Sequence, residues 1–212
     1  VYSQSQNDEG LERGSTMAYP AAPTFKKEIN DIEFSTRFMW GGNNVTYKGK
    51  KIDVQINFVD ADFFKVFNFA ITSGNKVNPL NDLSSAVITK NAAKKIFNND
   101  NPIGKVIKIR VLNEWKDLTI TAVTDDLPEN SSIKFDVLAR PEIRSDYAEN
   151  KENWNMQHHD VYVKIASAST PENVEQKFRT LRNKHIPIDA VELTKACYKK
   201  DSNGDFISFK LL

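Results

Sequence analysis

The chain has 212 residues, with 29 Lys and Arg against 28 Asp and Glu, 40% hydrophobic and 27% charged residues, and a net charge of +1. That balance suits one large or two small soluble domains and offers no global field for nucleic acid or an anionic membrane surface. No apolar run approaches the roughly 18 residues needed to cross a bilayer, and the single cysteine, Cys197, excludes an internal disulfide.

Residues Tyr2 to Gly14 are polar and read as a flexible lead-in or an edge element. No basic segment followed by an apolar one opens the chain, so a signal peptide is not expected; a start at Val1 rather than Met suggests a mature or excised fragment. Pro20 and Pro23 flank the start of a short helix in which Phe25 and Ile29 share a face. Two strands follow. In the first, Ile32, Phe34, Phe38 and Trp40 alternate with Glu33, Ser35, Arg37 and Met39, so the apolar set is expected to face a core. In the second, Ile52, Val54, Ile56 and Phe58 alternate with Asp53, Gln55 and Asn57, and Gly41-Gly42-Asn43-Asn44 reads as the turn between them. Asp60 to Phe67 reads as a short helix with an acidic start, in which Phe63, Phe64 and Phe67 form one apolar face. Burying each phenyl ring would stabilise by roughly 1.5–3 kcal/mol.

The stretch Ser85–Lys105 holds several signals. Val87 and Ile88 suit a buried strand, Thr89 an N-cap, and Ala92, Ala93, Ile96 and Phe97 one face of a helix with Lys94 and Lys95 opposite. Asn101-Pro102-Ile103-Gly104 fits a type I turn, and Ile107, Ile109 and Val111 alternate with Lys108 and Arg110 as the next strand. Leu118, Ile120 and Ala122 mark another strand, and the loop Asp125–Ser132 leads to a strand-like Ile133–Leu138. Pro141–Asn153 is charged and reads as a solvated helix or loop; Val161, Val163 and Ile165 form a strand. Thr170-Pro171-Glu172 is a strong helix start, with Val174, Phe178 and Leu181 as the buried stripe. Val191, Leu193 and Cys197 are expected on a strand that turns at Asn203-Gly204 into Phe206–Leu212. The class is α+β with mixed sheets.

Catalytic, cofactor-binding and metal-binding residues are all read as absent. His158 and His159 are adjacent, with no Cys or carboxylate at ligand spacing, and read as surface histidines. His185 near a helix end has no evident partner, and Cys197 reads as an inert core thiol. Asp201, Asn203 and Asp205 resemble the first ligands of a calcium loop, but the sixth-position Gly is missing and Leu212 replaces the terminal acid. Asp125, Asp126 and Glu129 suit an exposed turn as well as a carboxylate cluster. Asn44-Val45-Thr46 and Asn130-Ser131-Ser132 match a glycosylation acceptor pattern short enough to arise by chance, and Lys94, Lys95 and Lys105 read as a solvated basic face.

Three stretches stand in order: Phe58–Phe69 followed by Gly74; Ala86–Phe97 with Asn101-Pro-Ile-Gly-Lys105; and Leu118–Val123 with Leu127–Ser132 and Phe135. Together they resemble the MacB-like periplasmic core domain of FtsX-like ABC transporter permeases, particularly the Bacteroidetes type. Asn98 and Ala122 stand where the family often has Gly. The resemblance implies a non-catalytic domain on the periplasmic face of the inner membrane, without cofactors, that couples cytoplasmic ATP hydrolysis to export or mechanical work. It implies a porter-like part from residues 1–57 and 133–212 and an inserted β-rich, Sabre-like part over 58–132. Its partners would be the permease's own transmembrane helices, the ABC ATPase, a second permease copy, and a periplasmic adaptor or substrate protein. Two readings compete: a free-standing secreted ligand- or glycan-binding protein using Trp40, Trp115 and Trp154, and a hydrolase built on Asp125–Glu129.

Overall fold

A computed structural model describes residues 1–212. Its first half runs β1 (Tyr2–Asn7), β2 (Gly10–Gly14), β3 (Thr16–Ala18), α1 (Ala21–Glu28), β4 (Ile32–Tyr47), β5 (Lys50–Val59), α2 (Phe63–Val66), β6 (Ile71–Gly74), β7 (Ser85–Thr89) and α3 (Lys90–Phe97). There follow β8 (Val106–Val111), β9 (Glu114–Thr124), β10 (Val137–Ala139), a 3-10 turn (Pro141–Ile143), α4 (Tyr147–Asn150), β11 (Gln157–Ile165), α5 (Pro171–His185), α6 (Ala190–Lys195) and β12 (Ile207–Lys210). The chain is mixed α+β with strands dominating, and no helix is long and apolar enough to cross a membrane. Two compact units divide it: Val1–Arg37 with Asn150–Leu212, and Phe38–Glu149. A boundary at 57/58 would cut β5, which lies whole in the second unit.

In the discontinuous unit, β1 pairs antiparallel with β2 on one side and β12 on the other. The polar lead-in is therefore an ordered hairpin, its turn held by the Asn7 side chain accepting the Glu9 and Gly10 N–H groups. β11 lies between β3 and the first part of β4. Helices α1 and α5 supply the core: Phe25 packs on Phe178 at 4.6 Å between centroids, and both approach Phe209. The stripe Val174, Phe178, Leu181 is buried as its spacing requires, and Thr170 caps α5 by accepting the Asn173 N–H.

Four expectations are corrected here. In β4 Ile32 is buried as expected, but Ser35, Thr36, Arg37 and Met39 are buried as well, while Phe34 is half-buried and Trp40 is 61% exposed. Ser35 Oγ donates to the Ala22 carbonyl at 2.6 Å, and the Arg37 guanidinium lies over the Tyr19 ring, so polar groups with partners occupy the inward positions. Near the end, Val191 and Leu193 lie on helix α6 rather than a strand, because the Asp189 carboxylate caps the N–H groups of Val191 and Glu192. Cys197 is exposed, not core, and β12 pairs with β1 rather than with the preceding segment.

The continuous unit is a ring of strands. β4 pairs with β5, β5 with β10, β10 with β7, β7 with β9, β9 with β8, and β8 returns to β4. Closure gives each of these six strands a partner on both sides over part of its length; β6 adds outside, on β9. The alternation predicted for β8 and β9 holds, with Ile107, Ile109, Val111, Leu118 and Ile120 all buried; in β5 Val54, Ile56 and Phe58 are buried as expected, but Ile52 is half-buried and Asn57, expected outward, is buried. The β4–β5 turn is not Gly41–Asn44 but the two-residue loop Lys48-Gly49, where both φ values are positive as a primed hairpin turn requires. Gly41–Asn44 instead lies inside β4, where two opposite one-residue register shifts cancel, so Trp40 faces Asn57 and Asn44 faces Asp53. Helix α2 is shorter than expected, yet Phe63 centres a cluster with Phe38, Phe64, Phe67, Phe69 and Phe135 at 5.0 to 6.3 Å. Gly74 lets β6 approach β9, since a Cβ there would sit 2.2 Å from the Thr121 carbonyl oxygen. Residues 133–136 are not strand; β10 begins at Val137.

Candidate functional site

Helix α3 and the loop after β9 are tied together by several hydrogen bonds and an ion pair. Thr89 ends β7 and caps α3, its Oγ1 accepting the Ala92 N–H at 3.2 Å. The Asp126 carboxylate accepts the Asn91 N–H at 2.7 Å, and Asp125 pairs with Lys90. Two loop acids thus sit at the positive end of the helix, where anions are favoured. One step along, Asp136 exchanges backbone and side-chain bonds with Gln55: its carboxylate accepts the Gln55 N–H and its own N–H donates to the Gln55 carbonyl, both at 2.9 Å. Its carbonyl accepts the Thr89 N–H at 3.0 Å. The loop therefore joins α3, β5 and β10.

The other end of α3 is tied as well. Ile96 and Phe97 are buried, the Phe97 ring meets Tyr47 edge-on at 4.7 Å, and the Lys105 ammonium lies 5.5 Å from the Phe97 centroid while pairing with Asp100 at 2.7 Å. That pairing lowers the Asp100 pKa and raises that of Lys105. The turn after α3 sits one residue later than predicted. Lys105 N–H donates to the Pro102 carbonyl with Gly104 at φ +80°, a type II turn, while Asn101 Oδ1 accepts the Ile103 N–H.

The sequence-derived candidates are dispersed, and most are engaged. Asp125 and Asp126 serve α3, and the Glu129 carbonyl accepts from Lys134, so these acids do not converge on a common point. Asp201 accepts the Asn203 and Asp205 N–H groups. Asp205 binds Arg179 and Arg182, each at 2.6 Å, with Arg182 and Asp205 both buried. The calcium-loop likeness is thus a self-contained turn anchored to α5. His185 has partners after all: its Nε2 lies 3.0 Å from Glu28, and its ring stacks on Trp154 at 4.7 Å. Lys184 and His185 together hold the Glu28 carboxyl below its ordinary pKa, the Lys184 bond contributing most. No three His, Cys, Asp or Glu side chains gather as metal ligands.

His159 corrects the surface reading of the histidine pair. It is 2% exposed, edge-on to Tyr19 at 5.7 Å, and neither ring nitrogen has a hydrogen-bond partner. Burial, then the charges of Arg37 and His158, push its pKa down to about 3. Sequence reasoning missed this cluster because Arg37 and Tyr19 are distant in the chain and carry no motif. Of the three tryptophans, Trp154 packs against the first unit's core, whereas Trp40 and Trp115 are exposed.

The fold is that of solved extracytoplasmic transporter domains. It resembles a domain of a permease protein from Porphyromonas gingivalis with a TM-score of 0.77 at 22% identity, covering 100% of this chain and 86% of that one. The periplasmic region of MacB from Actinobacillus actinomycetemcomitans aligns with a TM-score of 0.61 at 16% identity over 87% of this chain and 83% of that one. The extracellular domain of the noncanonic ABC-type transporter YknZ from Gram-positive bacteria gives 0.60 at 13% identity over 94% and 97%. Compared by sequence with curated proteins, the chain has no match. Its sequence nevertheless matches the MacB-like periplasmic core domain profile over residues 1–181, and the chain belongs to that family.

Proposed function

We propose that this chain is the non-catalytic extracytoplasmic domain of a MacB/FtsX-type ABC transporter permease. In this reading it passes motion driven by a cytoplasmic ATPase to substrates or partner proteins outside the inner membrane. Family membership over residues 1–181 carries the reading. The discontinuous unit, which holds both chain ends, would be the porter-like part, and the ring unit the inserted Sabre-like part. A closed ring with a packed core deforms little, which suits a body that must move as a whole. Coupling further requires two arrangements with different affinities for the partner.

The exposed Cys197 provides the test. In cells expressing the complete permease, a membrane-impermeant maleimide should label Cys197 with the inner membrane intact, and Cys197→Ser should abolish that signal. Labelling only after inner-membrane lysis would overturn the placement. Coupling is tested on the reconstituted permease with a spin label at Cys197. ATP with vanadate should shift the distance between the labels of two copies, and an unchanged distribution would overturn the mechanical role.

A further inference from the structure

On the ring unit, the register-shifted stretch of β4, the start of β5 and the tip of the β8–β9 hairpin bound an open cleft of about 410 Å³, within the roughly 300–1,000 Å³ typical of small-molecule sites. Trp115 lines it and is 57% exposed, beside Leu112, which is also exposed and sits at φ +54°. Lys51 and Arg110 line it too, and neither side chain makes an ion pair or hydrogen bond within the protein. No carboxylate lines the cleft. Of the acids on neighbouring strands, Glu114 is paired with Lys116 and Asp117 with Lys108, and Asp53 lies opposite Asn44; all three are outside the lining.

Asn43 and Asn44 complete the set, placed by the cancelling register shifts in β4. Bulges of this kind re-aim side chains. Asn44 Nδ2 donates to Asn43 Oδ1 at 2.8 Å, which leaves the Asn43 amide hydrogens and the Asn44 carbonyl oxygen free to meet hydroxyl groups.

We propose that this cleft binds an acidic saccharide, a pyranose bearing a carboxylate or sulfate. The indole of Trp115 offers a flat apolar surface for the C–H face of the sugar. The Arg110 fork and the Lys51 ammonium meet the anionic group, and the two amides read hydroxyls. An extended acidic peptide fits less well, because β4 and β8 are paired to each other at Val45–Ile109 and Thr46–Lys108, which leaves only a short unpaired stretch beside the cleft for strand addition. The proposal is independent of the transporter reading; its failure would leave the labelling of Cys197 unchanged.

Isothermal titration calorimetry on the whole chain tests it, with trigalacturonate and a sulfated heparin tetrasaccharide as probes. Maltotriose serves as the neutral control and hexaglutamate as the peptide control. At least one acidic saccharide should bind saturably, more weakly as salt rises, and should lose about tenfold in affinity in Arg110→Gln and in Trp115→Ala. Lys51→Gln alters an exposed, unpaired side chain and should weaken binding with an unchanged melting temperature, which keeps the test valid if Trp115→Ala fails to fold. Absence of saturable heat with both acidic saccharides, affinity unchanged in the variants, equal affinity for maltotriose, or hexaglutamate binding as tightly would each overturn the proposal.

Discussion

The Asp126 carboxylate accepts a hydrogen bond from the Asn91 N–H at 2.7 Å, across 35 positions of sequence. This bond, with the Lys90–Asp125 pair beside it, turns an acidic loop into the cap of helix α3. Asp126→Ala should therefore destabilise the ring unit by about 1 kcal/mol, the usual cost of a lost cap, and lower its melting temperature. Asp126→Asn should recover much of that loss, because an amide oxygen can accept the same bond. Wild-type stability in Asp126→Ala would show that the contact is not maintained in solution.

Ile96 lies on the buried face of α3. Ile96→Asp would place an unpaired charge there, a change expected to cost more than about 4 kcal/mol. Circular dichroism should show the ring unit melting early or not folding. An unchanged melting curve would mean that this face of the helix is not core.

Arg182 and Asp205 form a buried pair at 2.6 Å, and Arg179 shares the same carboxylate. Removing one partner leaves a buried charge uncompensated, so Asp205→Asn should cost roughly 3–5 kcal/mol. Chemical denaturation should show this at high salt as well as low, since screening acts weakly on buried pairs. A cost that vanishes in high salt would mark the pair as effectively exposed.

His159 predicts a pH dependence. Its folded pKa of about 3 lies below the unfolded value of about 6.5. Above pH 6.5 the ring is neutral in both states, and its contribution to stability is flat. As pH falls from 6.5 towards 3, only the unfolded chain takes up the proton, so stability declines by at most about 1.4 kcal/mol per pH unit. Carboxylates with lowered pKa values, such as Glu28 and Asp31, lose their contribution only at lower pH, below roughly 4.5. Urea midpoints between pH 7.5 and 5 should thus fall in the wild type and fall less in His159→Gln. Equal slopes would show that the ring is protonated freely in the folded protein.

The local code was readable wherever neighbouring residues decide the outcome. Thr89 and Thr170 cap the helices they were expected to cap. The alternations at Ile107–Val111 and Leu118–Ala122, and the stripe Val174–Leu181, bury as their spacing requires. These features depend on periodicity and on backbone donors within a turn of the capping residue. The family resemblance came from the order of three such stretches, and the profile match over residues 1–181 bears it out.

Tertiary structure decided what depends on distant partners. β4 alternates in sequence, but alternation does not say which face turns inward. Ser35 and Arg37 face inward because Ala22 and Tyr19, from α1 and the segment before it, give them a hydrogen bond and a ring to pack on, and Trp40 is left exposed. Likewise the pairing of β8 back to β4 closes the ring and gathers Lys51, Arg110 and Trp115 from three strands into one cleft. Asp126 is exposed as its sequence suggests, but only the fold brings the Asn91 N–H within hydrogen-bonding distance of it. Periodicity specifies that a segment has two faces; only the packed chain supplies the groups that determine what each face meets.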